Sequence, residues 1–225
     1  MKKYLMVAMA TLLLSGCKVD IKTSVNSDDL LVTDHKTIMA DLNFEVASCS
    51  SSEDSRQESD ELIKIKAKVP SIFHDAQYVE CYRKSFDSFA HFKVPVSVGV
   101  RQKNAPFKGD LFLFSDGNIV AGIGAKRELI SRIKTAEADM PDKLNFNITV
   151  DVKKGSQPLP PAVTLLGVYV QKDTPALVAN VDFSKYDDLE FRLSDVSVDA
   201  LMKYGTVPFL VKPEFFDGLK EQNKK

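Results

Sequence analysis

The chain has 225 residues, 44% hydrophobic and 27% charged, with 10 Gly and 10 Pro. It is long enough to bury a core, and it is too poor in Gly and Pro for a collagen or a wholly disordered chain. A balance of 30 basic against 31 acidic residues excludes the basic excess of a dedicated nucleic-acid binder, and three cysteines are too few for a disulfide scaffold.

The first 17 residues read MKKYLMVAMATLLLSGC. Lys2 and Lys3 precede an apolar run from Leu5 to Leu14 that is too short to span the ~30 Å of a bilayer core, so it reads as a signal peptide over 1–16. Leu14-Ser15-Gly16-Cys17 resembles the lipobox of bacterial lipoproteins. That resemblance implies cleavage before Cys17 and a diacylglycerol on its sulfur, with palmitate-type chains as the anchor. Two or three acyl chains hold a protein on a membrane where one holds only marginally. Lys18 and Val19 follow the cysteine, where an Asp would favour inner-membrane retention. The outer membrane, periplasmic side, is therefore expected, with surface exposure as a variant.

In that oxidising compartment the two remaining cysteines, Cys49 and Cys81, are expected to pair. Such a bridge is worth ~3–4 kcal/mol in the chain-entropy picture. A metal pair or free thiols are the alternatives, although no His or Cys lies at finger-like spacing from either residue.

Along the chain, residues 17–34 read as a lipidated N-terminus leading through a tether into a first strand. Ile38, Ala40, Leu42, Phe44 and Val46 alternate as a half-buried strand. The polar loop 48–58 follows. Ser59 then caps a predicted helix with Leu62, Ile65, Val69 and Ile72 on one stripe. A strand over 77–83 carries Cys81, and a long alternation runs over 90–100, where Pro95 suggests an edge or a bulge. Asp116-Gly117 between two apolar runs marks a hairpin. A helix is predicted over 125–138, then a strand over 144–152. KKGSQPLPP at 153–161 reads as a hinge or long loop. Strands near 162–171, 176–183 and 188–193, a helix over 197–204 and a strand over 206–211 complete the order. Strand runs punctuated by two or three helices predict an α+β fold with mainly antiparallel sheet. A single compact unit and two packed lobes, 35–103 and 104–225, both fit this order, with the two-lobe division slightly favoured.

Motifs for chemistry are sparse. His35, His74 and His91 show no metal or triad spacing. Ser131-Arg132-Ile133-Lys134 matches SxxK, yet Ser131 falls mid-helix and neither SDN nor KTG occurs. Gly122, Gly124 and Lys126 lie where a strand runs into a helix, and such a turn could hold an anion on backbone N–H groups. The acidic run Glu53, Asp54, Glu58, Asp60 and Glu61 lacks calcium-loop spacing. No cofactor or metal is implied, and an enzyme is not the expected class.

The alternating strands and terminal helix are similar in texture to tubular lipid-binding proteins of the envelope. The mature region also resembles envelope lipoproteins carried by prophages and plasmids, a likeness that no single motif carries. It implies a part in excluding a competing phage or plasmid. The expectation is a membrane-tethered, periplasm-facing module that binds an envelope protein or plays a structural part, and binds no nucleic acid, with carriage of a lipid or small apolar ligand as the alternative.

Overall fold

In the computed structural model, alternation begins at once: Val19, Ile21, Thr23 and Val25 of β1 (Lys18–Asn26) all point inward and are buried. The structure describes residues 17–217 apart from 139, 141, 142, 161 and 172, so the stretch 1–16, read above as a signal peptide, lies outside the described residues. β1 starts directly after Cys17, and no tether intervenes.

A 3-10 turn over Ser27–Leu31 leads to β2 (Lys36–Val46), which pairs antiparallel with β1. Helix α1 (Asp60–Ile72) starts as the sequence predicts, with the Ser59 hydroxyl accepting the Leu62 N–H at 3.1 Å. β3 (Gln77–Lys84) and β4 (Asp87–Val100) form a hairpin, and β4 pairs with β2 along its other edge. β5 (Leu111–Asp116) lies parallel to β4 and turns through Gly117, whose φ is +55°, into β6 (Ile119–Ala125). Helix α2 (Arg127–Ala138) leads to β7 (Asn145–Lys153), which pairs parallel with β1. β8 (Val163–Val170), β9 (Thr174–Val181), β10 (Asp188–Leu193), helix α3 (Asp195–Tyr204) and β11 (Thr206–Val211) follow.

The expected α+β fold of two packed lobes does not form. β10, β7, β1, β2, β4, β5, β6, β11 and β8 pair in that order, and β8 returns to β10, closing a nine-stranded barrel. β3 and β9 are branches outside the ring. The strands before and after residue 104 share one ring, and their inward side chains make one continuous apolar cluster. Val94, Phe92, Leu113, Ile148, Val150 and Phe191 are among those that fill its interior. The overturning pairs are long-range: β1 with β7 and β10 with β8 leave no local trace in a sequence whose strands were otherwise visible.

Ring closure has a geometric cost. Of the nine junctions, β1–β7 and β4–β5 are parallel and seven are antiparallel. An odd number of reversals cannot be carried round a ring of straight strands, so one strand has to change direction. That strand is β8. β9 occupies the whole of one edge, so β11 at Thr164–Leu165 and β10 at Val168–Val170 share the other. Between them Gly167 has φ +58°, and a Cβ there would lie 2.4 Å from the Ser197 hydroxyl. Only glycine turns the chain in that space. Ser197 donates to the Gly167 carbonyl at 2.7 Å, tying the start of α3 to the bend.

Pro95 lies in β4, which is not an edge strand. β3 covers one edge of β4 up to Lys93, and β5 takes over that edge from Val96. Pro95 sits at the seam, where neither strand calls for an N–H. Of the two readings for 153–161, a long loop is what the described residues 154–160 form, and it is pinned. The Asp28 carboxylate accepts the N–H groups of Ser156 (2.8 Å) and Gln157 (2.9 Å) and the Ser156 hydroxyl (2.7 Å), while Gly155 N–H bonds Ser27.

Candidate functional site

The best-defined candidate site is the barrel end where β1, β4 and β7 begin and β2 finishes. Cys17 is partly buried against the core, and its carbonyl accepts the Asn145 N–H at 3.0 Å. The next residue is fixed from two further strands: Lys18 N–H bonds Glu45 at 3.2 Å, and Lys18 Nζ reaches Asp87 at 3.1 Å. The hydrogen bond to Asp87, then the charge of Glu45, hold the Lys18 ammonium above its ordinary pKa. Residues 17 and 18 are thereby held together by β2, β4 and β7 at a defined point.

Helices α1, α2 and α3 gather near this end, because α1 follows β2, α2 leads into β7 and α3 follows β10. Arg132 of α2 donates to the Ile72 carbonyl at the end of α1 (2.7 Å) and pairs with Asp110. Between α2, α3 and the start of β7 lies a cavity of about 250 Å³, floored by Ile133, Phe146, Val198 and Met202 and rimmed by Lys134, Lys143 and Asp199.

Cys49 and Cys81 form a disulfide with a Cα–Cα distance of 5.6 Å across 32 residues of sequence. It clips the branch strand β3 to the loop after β2. Three of the five residues of the acidic run are engaged locally. Asp54 pairs with Arg56, Glu58 with Lys66, and Glu61 accepts the Ala47 N–H.

Gly122 and Gly124 lie within β6 rather than in a strand-to-helix turn. A Cβ at either would strike the ring of Phe114 or Phe112, at 2.6 and 2.1 Å respectively, so the glycines make room for aromatic faces. Lys126 Nζ donates to the Lys108 carbonyl at 2.7 Å. The histidines have separate partners: His35 bonds the Val100 carbonyl at 2.9 Å and stacks on Phe107, His74 lies 3.3 Å from Asp110, and His91 donates to Asp41 at 2.6 Å. Ser131 and Lys134 line different cavities. Among the described residues no group of three or more His, Cys, Asp or Glu could hold a metal ion.

One surface escaped the sequence reading. β9 pairs only with β8 among the described residues, and Leu177 and Val178 on it are 83% and 65% exposed. The uncharged run TPALVANV was the available signal, since natural edge strands usually carry charges.

A family model described as "Domain of unknown function (DUF7424)" matches residues 19–216. The chain belongs to that family. The DUF7424 match begins at the second residue of β1 and runs past β11, so it covers the barrel with both branches and stops two residues short of Cys17. No curated protein and no solved structure matches this DUF7424 chain.

Proposed function

We propose that the chain is a cell-envelope lipoprotein, acylated on Cys17 and held on the periplasmic side of the outer membrane, whose barrel binds another envelope protein. The observation that carries the reading is the Leu14-Ser15-Gly16-Cys17 run ending at the first residue before β1. A lipid there would sit at the fixed point made by Asn145, Glu45 and Asp87. The disulfide fits an oxidising compartment. Protein binding is favoured over carriage of an apolar ligand because side chains fill the barrel interior. The unpaired edge of β9, with Leu177 and Val178 outward, could receive an added strand, as extended partners commonly dock.

Two measurements test this reading. Cys17→Ser should abolish metabolic labelling by a palmitate analogue and release the protein from the outer-membrane fraction; retention in that fraction would remove the anchor. A photo-crosslinker at Leu177 in intact cells should give one discrete heavier species, with none from Asn118 at the far end of the barrel. Equal patterns from both positions would remove β9 as the binding edge.

A further inference from the structure

Beside the fixed point at Cys17 stands the most exposed large apolar side chain described. Phe86 is 91% exposed at the tip of the β3–β4 hairpin. Lys84 pairs with Asp87, which leaves Ser85 and Phe86 as a two-residue turn, and Ser85 takes φ +57°. Such turns select Gly, Asn or Asp, so turn chemistry does not account for a phenylalanine there.

Its position does. Asp87, the next residue, holds the Lys18 ammonium at 3.1 Å, and Lys18 adjoins Cys17. The hairpin tip therefore lies one lysine side chain from the acylated residue. Arg83 and Lys84 flank it, both exposed. On the other side of Lys18, Asp195 lines the same cavity as Lys18, and its neighbour Val196 is 78% exposed. The Cys49–Cys81 disulfide stiffens β3, so the tip cannot fold back easily.

Resting on the reading of Cys17 as lipidated, we infer that Phe86 inserts into the same leaflet as the Cys17 lipid, with Arg83 and Lys84 on anionic phosphoglycerol headgroups. An acyl anchor alone leaves a protein free to swivel; a rigid aromatic tip beside it fixes the barrel's orientation. The occupant is a lipid surface because the anchor already holds this end against one.

The chain contains no tryptophan, so Phe86→Trp places a single indole at the tip. The full protein, purified with its lipid, is reconstituted in phosphatidylethanolamine–phosphatidylglycerol vesicles whose acyl chains are brominated. Fluorescence from position 86 should fall at least about two-fold and shift to the blue, as for an indole at the acyl boundary, whereas Asn118→Trp should change little. Equal quenching at both positions, with mass spectrometry showing lipid on Cys17, overturns the inference and leaves the anchor standing. Absence of lipid on Cys17 overturns both.

Discussion

β4 and β8 each lend one edge to two neighbours, and they solve the problem with opposite residues. On β4 the change from β3 to β5 falls at Pro95, and β2 runs unbroken along the other edge from Val46 to Lys36. The strand need not turn there, and a residue without an N–H suits the vacant position. On β8 the change from β11 to β10 falls at Gly167, where the two neighbours run in opposite senses. There the chain has to bend, and only the residue without a Cβ reaches φ +58° beside Ser197. A branch can be added to a barrel at little cost, whereas an odd closure needs a strained corner.

Breaking the branch side should show the largest effect. Replacing Cys49 and Cys81 together by Ser releases β3 and is expected to cost ~3–4 kcal/mol in urea unfolding, through the freed loop of the unfolded chain. Amide exchange should accelerate first in β3 and leave β7 and β10 protected. Loss of protection in β10 at the same rate would mean that branch and ring unfold as one.

The closure side is next. Gly167→Ala should cost about 2–3 kcal/mol, from a left-handed φ and a collision with the Ser197 hydroxyl. Adding Ser197→Ala should recover part of that loss in a double-mutant cycle, because the two changes share the same space. Purely additive costs would assign the penalty to backbone strain alone. At the other seam, Pro95→Val should alter stability by no more than ~0.5 kcal/mol, because no strand on that edge waits for the restored donor.

The smallest effect concerns the loop that feeds β8. The Ser156 hydroxyl, then the Gln157 and Ser156 N–H groups, hold the Asp28 carboxyl below its ordinary range. A depressed carboxyl contributes fully above its unfolded pKa and loses that contribution as pH falls through the folded value. Amide protection at Gly155–Gln157 should therefore drop on acidification, and Asp28→Asn should flatten that pH dependence. An unchanged profile in the variant would assign the pinning to Ser27 alone.

Local structure was largely legible in the sequence. Ser59 announced α1, Asp116-Gly117 announced the β5–β6 turn, and the alternation of 38–46, 90–100 and 144–152 marked three ring strands. Cys49 and Cys81 were paired by counting. β1 was missed in part, because Lys, Asp and Thr between Val19, Ile21 and Val25 made it look like a tether. Closure was not legible, since it depends on pairs such as Val19 with Phe146, which no local pattern encodes. The Leu14–Cys17 motif was legible, but the fixing of Cys17 by Asn145 and of Lys18 by Glu45 and Asp87 was not. Gly122 and Gly124 misled for a definite reason: a glycine that admits an aromatic ring across a strand pair looks the same in sequence as one that cradles an anion.

The parallel junction between β1 and β7 also orders events in time. Of the described strands β1 is the first to leave the ribosome, and its partner follows 127 residues later, as the Ser24–Asp151 bond records. β2 can pair with one edge of β1 early, but the barrel cannot close until β7 has been made and β10 has followed it. Such non-local closure is slow. The strand at the start of the barrel therefore stays half-unpaired until β7 and β10, more than 120 residues downstream, have been synthesised.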